Sequence, residues 1–274
     1  MRRLTSAVRL CFVIFSAAIF LYPIIWIIST SFMGAKEFNL RYITGQYGIT
    51  LIPWRVTFKQ YYMLMVENYR FFIFFWNSVL YAFIITAMTV VVAVPAAFVL
   101  AKIQFRGRDM LLFLYIIIMM MPFQVTLVPN YIQLRDLGLL NTIWSIILPA
   151  AFSSFSVFLL RQYFLSFPDQ IIESARLETN SVINILLRIV VPVSKPAIAA
   201  LMIVTFAECW NLIEQPYIFL ANKNLYPLSL VFADLIKELP ELTSSAAVIY
   251  ITPVCIMFFL YKEFIASSLG KMKW

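Results

Sequence analysis

FFIFFWNSVLYAFIITAMTVVVAVPAAFVLA, residues 71–101, runs for 31 residues without one charged side chain. A helix rises about 1.5 Å per residue, so about 20 apolar residues cross a hydrocarbon core about 30 Å thick. The stretch is long enough with room to spare. In lipid it has to be helical, because a helix pairs its backbone N–H and C=O groups within one segment. The chain is therefore read as a membrane protein built of helices.

The same pattern recurs on both sides. Window hydropathy places six apolar segments near 9–31, 71–101, 110–133, 141–165, 197–221 and 244–265. Of 274 residues, 63% are hydrophobic and 12% charged, where a soluble domain carries about 25% charged residues. A water-soluble fold of this length could not bury so much apolar surface. Leu10–Ile28 follows Arg2, Arg3 and Arg9 but is too long for a secretory core and ends in no cleavage pattern, so it reads as a retained first span. The expected fold is an all-α polytopic protein with six transmembrane helices in one domain, 1–274. Pro23, Pro95, Pro122, Pro149 and Pro216 lie inside spans and predict kinks.

Charge sets the orientation. With the N-terminus inside, thirteen of the 21 Lys and Arg fall on cytoplasmic segments, although the outer segments are longer. The positive-inside rule then puts both termini in the cytoplasm. The net charge of +8 is largely this topological excess and calls for no nucleic acid. Lipid is the partner it implies.

Several chemistries are excluded. There is no histidine, which removes the commonest metal ligand and proton shuttle, and with it most metal-dependent and Ser-His or Cys-His enzymes. Cys11, Cys209 and Cys255 each sit in apolar runs and read as small buried hydrophobes, so no metal site is expected. The six glycines include no pair that fits a phosphate-cradling or dinucleotide loop. An energy source must be held by a partner or be an ion gradient.

Two connecting segments stand out. Residues 32–70 are too polar for lipid and predict a small outer subdomain or lateral helix. The cytoplasmic segment 166–196, SFPDQIIESARLETNSVINILLRIVVPVSKP, predicts a helix–turn–helix. Ser166 is expected to cap a helix through Ile172, Ala175 and Arg176 to about Glu178, with Asp169 in its first turn. Thr179-Asn180-Ser181 has turn and cap chemistry, and a second helix with Ile185, Leu186 and Ile189 on one side runs to Pro192.

Glu173-Ser174-Ala175, then Thr179, Ile189 and Pro192, resemble the EAA signature of ABC importer permeases: E-A-A, three residues, G, nine residues, I-x-L-P. The spacing agrees throughout; Ser174 and Val191 are mild substitutions, and Thr179 replaces the glycine. MPFQVTLVPNY (121–131), LGLLNT (137–142), ILP (147–149), FLLRQYF (158–164), VPVSKP (191–196), Trp210-Asn211 and PVCIMFFLYKEF (253–264) add to a resemblance to carbohydrate-uptake permeases, in particular the second permease of maltose-type importers. The resemblance implies that 166–196 forms a coupling-helix loop between spans four and five. Its ATPase-coupling residues would be Glu173, Ser174, Ala175, Arg176, Thr179, Ile189 and Pro192. It also implies a second permease, two ATP-binding-cassette subunits that hold the ATP, an extracytoplasmic binding protein, and a place in the bacterial cytoplasmic membrane. The chain itself would be a transport subunit without cofactor or catalytic residues.

Within the fifth segment lie Glu208, Asn211, Glu214 and Gln215. On one continuous helix they fall within an arc of about 120° at 100° per residue. A charge at mid-bilayer costs about 2.5–3.5 kcal/mol on insertion scales, so such groups face a cavity or a partner. They are the substrate-path candidates, and a carboxylate suits the hydroxyls of a neutral sugar better than a phosphate. The alternatives are that Glu208 and Glu214 pair with the other permease or cap a helix broken at Pro216, an ion-coupled secondary transporter using Glu208 and Glu214, or a permease for glycerol-phosphate-type substrates.

Overall fold

The computed structural model describes residues 2–48 and 50–271, and every regular element among them is helical. Helix α1 (Arg2–Ser31) is followed by two short helices, α2 (Ala35–Phe38) and α3 (Lys59–Tyr62), each running on into a wider π-helical turn. Helix α4 (Tyr69–Lys102) has 34 residues, about 50 Å at 1.5 Å per residue. Then come α5 (Arg108–Met120), α6 (Phe123–Asp136), α7 (Trp144–Ala151) and α8 (Ser154–Leu165). An elbow follows: α9 (Asp169–Glu178), α10 (Val182–Ile185), a π turn Leu186–Val190 and α11 (Val191–Val193). The chain continues through α12 (Lys195–Trp210), α13 (Glu214–Phe219), α14 (Leu228–Glu238) and α15 (Thr243–Lys271).

Four stretches are long and apolar enough to cross a membrane: Arg9–Ser31, Tyr69–Lys102, Trp144–Leu165 and Pro240–Glu263. The expected third span is not one rod but α5 and α6, bent by 101°. The break falls at Pro122, whose ring disfavours helical geometry at the preceding residue, and Met121 is extended there (φ −71°, ψ 127°). A second bend of 79° separates Val182–Val193 from α12. Counting each bent pair as one span brings the number to six.

The fifth segment, where Pro216 predicted a kink, is broken outright. Helix α12 stops at Trp210, and a new helix starts at Glu214. Pro216 has no N–H for the carbonyl four residues back, and its ring would clash with that carbonyl in a continuous helix. The freed Leu212 carbonyl instead accepts the Ser229 hydroxyl.

Two compact units divide the described chain. One gathers the chain up to Ile73 together with Val231–Pro253. In it Thr30 Oγ1 donates to Ser244 Oγ (2.8 Å), Ser245 Oγ to the Ser31 carbonyl (3.0 Å) and Tyr61 OH to Ser31 Oγ (2.7 Å). The described residues of 32–70, expected to form a small outer subdomain or lateral helix, lie in this unit too. At their centre is Glu37, 5% exposed, which accepts the Trp54 N–H with both oxygens and lies 3.0 Å from Arg41 Nε. The Arg41 guanidinium also covers the Trp54 ring, 4.9 Å from its centroid.

The other unit comprises Phe74–Leu230 and the chain from Val254. Its core joins the last third of α4 to α8, the elbow and the start of α12. Ala93, Ala97 and Ala101 recur every fourth residue on α4 and are all buried, which lets neighbouring backbones approach closely as small residues do in membrane bundles.

Candidate functional site

The elbow forms where the sequence predicted it. Ile172 and Ala175 of α9, with Ile185, Leu186 and Val190 beyond the turn, are buried in the core beneath α4 and α8. The opposite face of α9 is exposed and carries Glu173, Ser174, Arg176 and Leu177, the last 91% exposed. Of the motif residues, Ala175 is buried, Thr179 and Ile189 are half-buried, and Pro192 is exposed. The segment is thus an amphipathic bracket, seated by its apolar side and open on its polar one.

Its caps differ in part from the expected ones. Ser181 begins α10 as predicted, its hydroxyl accepting the Asn184 N–H at 3.4 Å. Ser166 does not begin α9. It closes α8 with helical dihedrals, donates its hydroxyl to the Tyr163 carbonyl at 2.7 Å, and leaves α9 to start after Pro168 without a side-chain cap. Thr179 is extended at φ −150°, ψ 136°, a conformation open to any residue. The glycine of the signature has no left-handed position to fill here.

Lys102 fastens the elbow, a role its sequence context did not reveal. It is the last residue of α4, with its side chain 6% exposed. Its Nζ lies 2.6 Å from the Phe167 carbonyl and 2.6 Å from Asp169 Oδ1, the first residue of α9. The Asp169 carboxylate also sits where the α9 N-terminus favours negative charge. The neighbouring Arg161 Nε donates to the Leu100 carbonyl at 3.3 Å, satisfying an end carbonyl of α4.

The four path candidates do not share a helical face, because the break at 211–213 separates Glu208 and Asn211 from Glu214 and Gln215. Asn211 turns back to donate to the Ala207 carbonyl at 2.8 Å and closes α12. Glu208 is exposed on α12. Glu214 is exposed in the first turn of α13 and accepts Gln124 Nε2 at 3.2 and 3.3 Å. Gln215 is 8% exposed, and its buried carbonyl oxygen has no hydrogen-bond partner among the described residues. Gln124, at the start of α6, was absent from the sequence candidates because only folding brings it to Glu214. No Lys or Arg lies between Lys195 and Lys223, so the polar groups of this segment comprise two carboxylates without a cation.

Comparison with known proteins places the chain among transporters. The family model described as "Binding-protein-dependent transport system inner membrane component" matches residues 91–271. The chain is 27% identical over 260 residues to the arabinooligosaccharides transport system permease protein AraQ of Halalkalibacterium halodurans, covering 93% of this chain and 91% of that one. It is 31% identical over 160 residues to the sn-glycerol-3-phosphate transport system permease protein UgpE of Salmonella typhi, covering 58% and 57%. A chain in the crystal structure of a bacterial ABC transporter involved in the import of the acidic polysaccharide alginate shares the fold, with a TM-score of 0.83, 24% identity, and coverage of 95% and 96%.

Proposed function

Because the chain belongs to the family of inner membrane components of binding-protein-dependent transport systems, we propose that it is a sugar-translocating permease subunit of an ATP-binding-cassette importer. The observation that carries this reading is the elbow, whose buried half is continuous with the core of the spans and whose exposed half is left for a partner. Movement of α9 by an ATPase subunit would be passed to α4 and α8 through that shared core. Glu173, Ser174 and Arg176 are the docking contacts, with Ala175, Thr179, Ile189 and Pro192 shaping the bracket. The chain crosses the bacterial cytoplasmic membrane six times as one permease domain, with both termini inside. It works with a second permease, two ATPase subunits and an extracytoplasmic binding protein, and it alternates access between the two faces.

The substrate is a neutral sugar rather than an anionic one. Glu208 and Glu214 can accept hydrogen bonds from hydroxyls, and between Lys195 and Lys223 no cation is available to balance a phosphate or carboxylate. The similarity to a glycerol-3-phosphate permease favours a second reading, that of an anionic substrate. Proteoliposomes holding the assembled complex and its binding protein separate the two when offered arabinotriose and sn-glycerol-3-phosphate. ATP-dependent uptake of arabinotriose alone is expected. Uptake of the phosphate alone would overturn the neutral-sugar assignment. Solute accumulation by the isolated chain from an ion gradient, without any ATPase, would overturn the proposal as a whole.

A further inference from the structure

The LGLLNT turn, residues 137–142, has no part in the elbow or among the path candidates, yet it holds the one non-glycine residue with positive φ among the described residues, Asn141 at 60°. Asparagine tolerates this left-handed region better than most residues, but the conformation still has to be held by its surroundings. Three hydrogen bonds hold it. The Asn141 N–H donates to the carbonyl of Phe219, the last residue of α13, at 2.9 Å. Asn141 Oδ1 accepts the N–H of Ala221 at 3.0 Å and that of Asn222 at 2.7 Å.

These bonds close a longer attachment. Gln124 on α6 donates to Glu214 at the start of α13. Seven residues on, Tyr131 of α6 meets Phe219 at the end of α13, ring centroids 6.4 Å apart. The chain then turns through Gly138 (φ 66°) and places Asn141 on the residues just past α13. A helix of six residues is too short to be stable alone, so α13 depends on such external ties.

We propose that Asn141 is a positioning residue: it clamps α13 onto α6, so that Glu214, Gln124 and the outer turn 137–142 move as one piece during transport. This rests on the permease reading above, which gives Glu214 its place on the substrate path. The left-handed backbone frees the side-chain oxygen to face two N–H groups at once.

The test compares Asn141→Gly, which keeps the backbone conformation but loses Oδ1, with Asn141→Asp, which keeps both. In the complete transporter in nanodiscs, amide exchange at Ala221 and Asn222 is expected to speed up about tenfold in the glycine variant and to stay near wild type in the aspartate variant. In proteoliposomes supplied with binding protein, the KM for arabinotriose uptake is expected to rise about fivefold in Asn141→Gly. The maximal rate per assembled complex should stay within about twofold, and Asn141→Asp should restore the KM. Unchanged exchange in Asn141→Gly, or equal acceleration in both variants, overturns the clamp. Accelerated exchange with an unaltered KM leaves the bonds real but overturns the positioning role. If the wild-type complex takes up sn-glycerol-3-phosphate and no arabinotriose, the neutral-sugar reading fails, and exchange alone decides the clamp.

Discussion

Lys102→Met isolates the bond that ties the elbow to α4. Methionine retains most of the buried stem and removes the ammonium group, so the packing of the stem is largely preserved. Two interactions go, and they are unequal. Asp169 is 74% exposed, so its ion pair is worth about 0–1 kcal/mol after solvent screening. The Phe167 carbonyl instead receives a charged donor that is 6% exposed, a bond of about 1.5–3 kcal/mol, and it is left without that donor in the variant. Lys102→Met should therefore cost about 2–3 kcal/mol in holding α9 to its seat, or roughly 30- to 150-fold in local opening at tenfold per 1.4 kcal/mol. Asp169→Asn keeps the carbonyl bond and should cost about 1 kcal/mol or less. Amide exchange across residues 170–178 in lipid nanodiscs reads the opening directly, and ATP hydrolysed per sugar imported reads its consequence. Faster exchange and a higher ATP-to-sugar ratio are expected for Lys102→Met and not for Asp169→Asn. Equal effects from the two substitutions would refute the ranking, since they would show the exposed ion pair to be the fastening. Wild-type exchange in Lys102→Met would show that packing alone seats the elbow.

Three further outcomes are expected. Glu37→Gln leaves the Arg41 charge buried and unpaired and should cost about 3–5 kcal/mol, read as a fall in Tm, with Glu37→Gln combined with Arg41→Met recovering most of the loss; a single variant as stable as wild type contradicts this. Thr179→Gly restores the glycine of the signature at an extended position but removes the hydroxyl that accepts the Ser181 N–H at 3.2 Å, so added chain entropy and the lost bond together should cost about 1–2 kcal/mol without improving uptake. A clear gain in coupled transport would mean that the turn visits a left-handed state. Glu208→Gln should lower arabinotriose uptake about tenfold with complex assembly intact; normal uptake removes Glu208 from the path.

The spans and the elbow were legible because each rests on a local rule. Apolar length reveals 71–101, and the period of Ile172, Ala175, Ile185 and Leu186 reveals the inner face of the bracket without knowledge of what it packs against. Ser166 was misplaced by the same kind of rule. Its spacing from Asp169 fits a cap, but it also fits the end of α8, and Pro168 between them decides for the second. Lys102, Gln124 and Asn141 were not legible. Each bonds to a residue far away in sequence: Lys102 to Asp169, Gln124 to Glu214, and Asn141 to residues 219–222. No periodicity within one segment can carry that information.

The misread arc of Glu208, Asn211, Glu214 and Gln215 shows what a helix break does for a transporter. On an unbroken helix the four groups would form one polar stripe, and every backbone group beside it would already be paired. With Pro216 barring that helix, Leu212 gives its carbonyl to Ser229, and Glu214 opens a separate short helix held by α6 and the 137–142 turn. The two carboxylates thereby lie on different helices, Glu208 on the long α12 rooted in the elbow core and Glu214 on α13, which is tied to α6 and the 137–142 turn. A rod would carry both acids through the same displacement. On the proposed permease function, a broken span would let α12 shift with the elbow while α13 stays with α6, so the spacing of the two acids would change between states, as gripping and then releasing a polyol would require.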